Sequence, residues 1–162
     1  MARTVRRGAT ILIVDDEPAM LQVTATFLYR SGYEVLTAQD GKAALKAFKK
    51  AQQTIQLVLS DVVMPGMRGP QLLHSINFLS PSTATLLMSA APIDSDPGVA
   101  SIMKPFTRDA LVTKVHDLLA VCDFTKIERE QSSSRSRRKV AGVYEGEGIN
   151  HTGLRRLAKV TR

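Results

Sequence analysis

Cysteine and tryptophan are almost missing from this sequence of 162 residues, which has one cysteine, Cys122, and no tryptophan. A single cysteine excludes an internal disulfide and any metal site built from several cysteines, and it favours a reducing compartment. No apolar run approaches the roughly 20 residues that a membrane-spanning helix needs. The basic start of the chain resembles that of an export signal, but its apolar stretch is too short before three acidic residues. The sequence therefore predicts a cytoplasmic protein without a membrane segment.

Positive charge is also scarce in the middle of the chain, although the formal net charge is +7. Residues 1–7 carry three arginines, and residues 125–162 carry ten basic and four acidic side chains. Residues 8–124, in contrast, carry nine basic and eleven acidic side chains. The basic character thus belongs to the two ends, and the high isoelectric point indicates no nucleic-acid surface on the central part.

This distribution divides the chain into three parts. We predict a basic N-terminal arm at 1–8, a folded domain at 9–123 and a basic, largely disordered tail at 124–162. The tail includes the basic cluster RSRRK, residues 135–139, which has no aromatic residues interleaved with it. We therefore expect no main function in nucleic-acid binding, and at most a weak electrostatic contact through the tail.

Strand-like and helix-like patterns alternate through the folded domain. Short continuous apolar runs such as ATILIV are typical of strands buried on both faces. Segments such as DGKAALKAFKKAQ have apolar residues at helical spacing. The alternation predicts an α/β fold with a doubly wound parallel sheet and a site at the carboxyl ends of its strands. Predicted strands cover 9–14, 33–37, 55–60, 83–89 and 99–103, and predicted helices cover 18–32, 40–52, 69–79 and 107–122, with Asp40 and Thr107 as N-caps.

Acidic residues follow two of these strands. Asp15 and Asp16 come directly after the first strand, and Asp61 closes the third. Since these two strand ends are usually adjacent in a parallel sheet, the three carboxylates should converge on one crevice, where they repel each other unless a cation intervenes. Oxygen ligands alone favour a hard cation such as Mg²⁺. The alternative is that the acids cap the following helices, and Asp16 is placed to do so.

Two further polar residues end the fourth and fifth strands. Ser89 supplies a hydroxyl that can donate to a phosphoryl oxygen, and Lys104 supplies a positive charge that suits phosphate. A carboxylate such as that of Asp61 can attack phosphorus, and the transfer mostly needs positioning and charge neutralisation. The set is thus suited to a metal-assisted phosphoryl transfer onto a carboxylate.

The motifs VDDEP, LVLSDVVMPGMRG, LLMSA and KPF, in this order, resemble the receiver domain of two-component response regulators over about residues 9–122. The resemblance implies a flavodoxin-like sheet of five strands in the order 2-1-3-4-5. It also implies that Asp61 is the phosphoacceptor, which takes a phosphoryl group from the histidine of a sensor histidine kinase or a histidine phosphotransfer protein. An unknown downstream protein would then read the phosphorylated state.

The same resemblance implies roles for the other site residues. Mg²⁺ would be bound by Asp16, Asp61 and the backbone carbonyl of Val63, while Asp15 assists through water. Ser89 and Lys104 would hold the phosphoryl group. The bond before Pro105 would be cis, and Pro65 and Gly66 would shape the loop after the phosphoacceptor.

The sequence departs from the family pattern between the fourth and fifth predicted strands. Residues 89–98 are about the minimum for a crossover connection, and they include Pro92 and Pro97, which disfavour a helix. We therefore predict a fourth helix that is shortened or absent. Many receivers also carry an aromatic residue three positions before the lysine, where this chain has Ser101. Both departures lie on the usual output face, so we expect unconventional signalling by protein contacts, as a relay, a sink or a docking module.

Two other functions compete with this interpretation. A degenerate receiver would act by protein contacts alone, without phosphorylation. A phosphohydrolase with an aspartate nucleophile would need a second acid two residues after it, where this chain has Val63. We therefore expect no enzyme that turns over a separate substrate, only self-phosphorylation and slow autodephosphorylation on Asp61.

Overall fold

The computed structural model describes residues 8–93 and 99–122. Within these residues, strands and helices alternate as the sequence pattern predicts. The predicted tail and all but the last residue of the predicted arm lie outside the described residues, so the domain boundaries remain predictions. The elements are β1 (Thr10–Val14), α1 (Pro18–Tyr29), β2 (Glu34–Ala38), α2 (Gly41–Ala51), β3 (Ile55–Asp61), α3 (Gly69–Leu79), β4 (Ala84–Ser89), β5 (Ser101–Met103) and α4 (108–122).

The strands form one parallel sheet in the order β2-β1-β3-β4-β5. This confirms the predicted flavodoxin-like topology. The centre of the sheet places β1 beside β3, with Val14 opposite Ser60. The next residue along each strand, Asp15 and Asp61 respectively, therefore reaches the carboxyl edge of the sheet beside the other. The strand order, in which β1 and β3 are neighbours, is what creates a shared crevice at this edge.

The two faces of the sheet are covered by different helices. Successive residues of a strand point to opposite faces, so Ile11 packs with one core cluster and Leu12 with the other. Removal of these apolar side chains from water is the main favourable term for folding. The first cluster includes Leu21 and Leu28 of α1 with Leu111 and Val115 of α4, and the second includes Ala44 and Phe48 of α2 with Leu72 and Ile76 of α3.

Local side chains fix where the helices begin. The Asp40 carboxylate accepts a hydrogen bond of 2.7 Å from the backbone N–H of Ala43, and Thr107 Oγ1 accepts one of 3.2 Å from that of Ala110. Both predicted N-caps are thus confirmed. Helix α1 begins at Pro18, where the missing N–H costs nothing, but it ends at Tyr29, three residues before the predicted end.

No helix is found between β4 and β5 in the residues of this connection that the structure describes, 90–93 and 99–100. The prediction of a shortened or absent fourth helix is confirmed on that basis. Strand β5 has only three residues, fewer than predicted, and its side chain Met103 is 58% exposed. Strand β5 is thus a short edge strand whose last residue lies at the surface. Among the described helices, none has the length and apolarity needed to cross a membrane.

Tyr33 carries a buried hydroxyl that finds no hydrogen-bond partner within the described part of the chain. An unsatisfied buried polar group opposes folding, so we expect Tyr33→Phe to leave the free energy of unfolding unchanged or to raise it by about 1 kcal/mol. Burial also raises the pKa of Tyr33 above its ordinary value of 10.0. The stability that the neutral Tyr33 side chain contributes should therefore be fully present below about pH 10 and be lost as the pH rises further. The Tyr33→Phe substitution should lessen that loss.

Urea denaturation of the wild type and of Tyr33→Phe, at pH 7 and at alkaline pH, measures these changes in the free energy of unfolding. Tyr29→Phe is the matched control, because Tyr29 is 73% exposed and its hydroxyl is solvated. A loss of more than 1 kcal/mol in Tyr33→Phe would show that the hydroxyl makes a stabilising bond.

Candidate functional site

Three polar side chains meet at the carboxyl edge of the sheet. Asp15 directly follows β1, Asp61 is the last residue of β3, and Lys104 directly follows β5. Both carboxylates are buried, with Asp15 only 1% and Asp61 9% exposed. Buried charges are stable only when paired, so the group that pairs with these carboxylates determines the chemistry of the site.

Lys104 is that partner for both carboxylates. Its Nζ lies 2.9 Å from Asp15 Oδ2 and 2.6 Å from Asp61 Oδ1. The backbone holds the lysine in place, because its N–H donates a 2.7 Å hydrogen bond to the carbonyl of Ser89 at the end of β4. Charged hydrogen bonds of this length are strong. One ammonium group thus binds two acids from different strands.

The charge of Lys104 follows from these contacts. Burial alone would lower its pKa, but the hydrogen bonds and charges of Asp61 and Asp15 outweigh burial and leave the pKa above its ordinary value of 10.5. The lysine is therefore positively charged at any physiological pH. The carboxylate pair is neutralised in part by this one cation.

Backbone groups hold the remaining carboxylate oxygens. Asp15 Oδ1 accepts a 2.9 Å hydrogen bond from the N–H of Glu17, and Asp61 Oδ2 accepts a 3.0 Å bond from the N–H of Val63. These bonds fix the orientation of both acids, as a preorganised site requires. They also place the first residues of the β3–α3 loop against the outer side of Asp61.

Ser89 is buried at the end of β4, the strand next to β3. Its Oγ donates a 2.6 Å hydrogen bond to the carbonyl of Ala91 and accepts a 3.2 Å bond from the N–H of the same residue. The sequence predicted Ser89 at this edge. The structure adds that its hydroxyl is bound to its own loop, so a new ligand must compete with Ala91 for it.

Asp16 and Val63 lie at the rim of the site with exposed side chains. No hydrogen bond or ion pair joins the Asp16 carboxylate to another described residue. The interpretation of Asp16 as a helix cap is wrong, because Glu17 is the N-cap of α1 and no side chain caps that helix. The roles of Asp16 and of the Val63 carbonyl as metal ligands stay predictions.

The described residues contain no group of three or more His, Cys, Asp or Glu side chains arranged to hold a metal ion. The chemistry of the donors nevertheless fits Mg²⁺, which keeps several waters and takes only one or two carboxylates from a protein. Asp15 and Asp61 present carboxylate oxygens to one cation already, as their shared ion pair with Lys104 shows. The Val63 carbonyl and the Asp16 carboxylate are further oxygen donors beside them.

The loop after Asp61 and the peptide after Lys104 have the predicted conformations. The Lys104–Pro105 bond is cis. Gly66 has a φ of 78°, a left-handed conformation that suits glycine and shapes the loop behind Pro65.

Two residues that support Asp61 were not identified from the sequence. Ser60 is fully buried, and its Oγ donates a 2.9 Å hydrogen bond to the Asp61 carbonyl. Gly69, the first residue of α3, lies so close to that carbonyl that a Cβ there would overlap it. The available signal for such a close approach was the glycine itself, since a residue without a Cβ suits places where another group comes near the backbone.

A family model described as response regulator receiver domain matches residues 11–116. The probable transcriptional regulatory protein TcrX of Mycobacterium tuberculosis is 30% identical over 135 residues, 79% of this chain and 57% of TcrX. The chain therefore spans little more than half of that relative.

Solved structures agree with this match. The receiver domain of the hybrid histidine kinase CckA is 36% identical, with 68% of this chain and 98% of that domain covered and a TM-score of 0.61. The response regulator TrrA from Thermotoga maritima, solved in complex with Mg²⁺-BeF, is 32% identical, with 67% and 97% covered and a TM-score of 0.62. By sequence over 11–116 and by fold, this chain belongs to the response regulator receiver domain family.

Proposed function

We propose that this chain is a phosphoacceptor module of a two-component phosphorelay, and that Asp61 takes a phosphoryl group from a phosphohistidine. The observation that carries the proposal is the contact of one lysine with two buried acids from adjacent strands, Lys104 with Asp15 and Asp61. A simple surface ion pair would not require two buried acids around one lysine. An acceptor site requires such a pairing, since the nucleophile must stay charged and the phosphoryl charge must find a cation.

The transfer itself is a substitution at phosphorus. An oxygen of the Asp61 carboxylate attacks the phosphorus atom, an O–P bond forms, and the P–N bond to the partner histidine breaks. The electron pair of that bond stays on the imidazole nitrogen. Before transfer, the N–H of Val63 donates a hydrogen bond to Asp61 Oδ2 and helps to orient the nucleophile. After transfer, Lys104 pairs with the phosphoryl oxygens instead of with the free carboxylate of Asp61.

Mg²⁺, when bound, would supply positive charge to the phosphoryl oxygens. Asp15, Asp16, Asp61 and the carbonyl of Val63 are the groups of this chain that would hold it. The relative TrrA, which was solved with Mg²⁺-BeF, supports this assignment. Ser89 would hold a phosphoryl oxygen after its Oγ leaves the carbonyl of Ala91.

The partners follow from this chemistry. The donor is a sensor histidine kinase or a histidine phosphotransfer protein, and the output is a contact with a downstream protein, in the cytoplasm. No membrane contact is part of the proposal, and any contact of the basic tail with nucleic acid is secondary. The related receiver domain of the hybrid histidine kinase CckA supports a place beside a kinase.

We propose no catalytic turnover of a separate substrate beyond slow loss of phosphate from Asp61. A phosphohydrolase of the aspartate-nucleophile class would need an acid two residues after the nucleophile. That residue is Val63, whose side chain is 68% exposed and carries no proton to donate. This feature of the site supports an acceptor and not a hydrolase.

Incubation of the full chain with acetyl phosphate and Mg²⁺, followed by intact mass spectrometry, tests the proposal. We expect the wild type to gain one phosphoryl group, Asp61→Asn to gain none, and the exposed control Asp109→Asn to behave as the wild type. An amide oxygen is too weak a nucleophile for this attack. Equal labelling of all three proteins would place the phosphoryl group elsewhere, and no labelling would leave a degenerate receiver that acts by contacts alone.

A further inference from the structure

The outer face of α2 carries a concentration of positive charge that phosphotransfer does not use. Lys42, Lys46, Lys49 and Lys50 are all exposed. Helical spacing of four, seven and eight residues places them on one face, along roughly 12 Å at a rise of 1.5 Å per residue. They are four of the nine basic residues in 8–124, a part of the chain in which acidic residues outnumber basic ones.

These lysines have no acidic partner among the described residues. Asp40 is the nearest acid in the sequence, but its carboxylate accepts a hydrogen bond from Ala43 N–H and serves as the helix cap. Helix α2 itself contains no Asp or Glu. Four like charges on one face repel each other, so an external anion would relieve that repulsion.

A groove runs along the first part of this face. Its volume is about 490 Å³, and its lining combines charged and apolar side chains. The lining residues are Asp40, Lys42, Ala43, Lys46, Pro65, Gly66 and Met67. The groove therefore joins α2 to the β3–α3 loop, the same loop that begins at Asp61.

Close packing holds part of the groove lining in place. Gly41, at the start of α2, lies so near Met67 that an added Cβ would come within 2.8 Å of the methionine Cβ. Gly66 holds the loop in a left-handed conformation with a φ of 78°. A groove made by a helix and a packed loop is better suited to selective binding than exposed lysines alone.

We propose that this lysine face and its groove dock an acidic, partly apolar segment of a partner protein. Charge complementarity selects an acidic occupant. The apolar lining residues Ala43, Pro65 and Met67 select one with apolar side chains among its acids. The occupant would also contact residues 65–67 of the loop that follows Asp61.

A nucleic acid or a membrane surface fits the lysine face less well than an acidic protein segment does. The groove lining includes neither arginine nor an aromatic side chain on which a base could stack. A membrane-bound helix places large apolar residues in the lipid, but the large apolar residues of α2, Leu45 and Phe48, pack into the core. The protein segment is therefore the occupant that the chemistry favours.

Fluorescence anisotropy with a labelled synthetic peptide of alternating Glu-Glu-Leu-Leu units tests the proposal on the full chain at low salt. We expect Lys42→Glu with Lys46→Glu to weaken binding about tenfold or more. The control, Arg30→Glu with Lys114→Glu, changes the net charge equally at exposed positions elsewhere. It should weaken binding much less, and it corrects for attraction of the peptide to the basic ends of the chain.

Four further measurements complete the test. Amide chemical-shift changes on peptide addition should be concentrated in 40–50 and 65–67, and a peptide with Gln in place of Glu should bind at least about tenfold more weakly. Equal weakening by both double variants, or no binding of the acidic peptide at all, would overturn the proposal. So would tighter binding of a single-stranded oligodeoxynucleotide or of phosphatidylserine vesicles at the lysine face.

Discussion

Replacement of Lys104 by methionine should destabilise the metal-free protein by about 2 kcal/mol and slow phosphorylation of Asp61 by about a hundredfold. Removal of the ammonium leaves Asp15 and Asp61 close together and buried without their shared cation. Loss of one partner of a fully buried pair costs more, but 17% of the lysine side chain is exposed and water offsets part of the loss. The transfer slows because the developing phosphoryl charge loses its lysine.

Thermal unfolding with and without Mg²⁺ measures the stability effect, and acetyl phosphate labelling measures the rate. Mg²⁺ should raise the melting temperature of Lys104→Met more than that of the wild type, because the metal replaces the missing neutralisation. The control Lys114→Met removes the same charge from an exposed position of α4. If both variants lose the same stability and respond to Mg²⁺ equally, Lys104 does not neutralise the carboxylate pair.

Much of the site was predictable because each residue marks the end of a strand. The apolar runs before Asp15, Asp61 and Ser89 identify buried strands, and the parallel topology then brings their carboxyl ends to one edge. Lys104 follows a weaker signal, a strand of three residues, but the KPF motif fixed its position. Caps at Asp40 and Thr107 were readable for a similar local reason, since each side chain bonds within three residues of itself.

Which of two neighbouring acids points into the site was not predictable from strand ends in the same way. Asp15 and Asp16 are adjacent in the sequence, and either one fits a pattern of acids after a strand. The direction of each side chain depends on the backbone conformation just after β1, where successive residues point in opposite directions. Asp15 points inward against Lys104, and Asp16 points outward. The sequence likewise contains no sign that the Ser89 hydroxyl is held by Ala91, because that bond depends on the loop conformation.

The connection from β4 to β5 contributes to the site around Asp61 through its two ends. Its two ends, Ser89 and Lys104, are joined directly by the hydrogen bond from the lysine N–H to the serine carbonyl. The site around Asp61 is therefore assembled without a helix in the described residues between them. A phosphoryl group can shift a conformational equilibrium only through contacts that differ between the two states. Since β5 is short and Met103 is exposed, the described residues of this edge offer few such contacts.

Substitution of Gly69 by alanine should lower the free energy of unfolding by about 3 kcal/mol, near the upper end of typical overpacking costs. The added Cβ would overlap the backbone carbonyl of Asp61 and lie 3.1 Å from Leu87 Cδ2. Neither neighbour can move freely, because the Asp61 carbonyl also accepts a bond from Ser60 Oγ and Leu87 is buried. The start of α3 must shift instead, and with it the loop that positions Asp61. We therefore expect slower phosphorylation as well as lower stability.

Urea denaturation compares this variant with Gly66→Ala, a glycine in the same loop whose added Cβ would meet no atom within 4 Å. Gly66→Ala should cost only about 1 kcal/mol, because its penalty is the left-handed conformation alone. The difference between the two variants isolates the close approach of α3 to Asp61. Equal losses in both would mean that α3 relaxes away from Asp61 without cost, and that Gly69 does not hold the helix against the site.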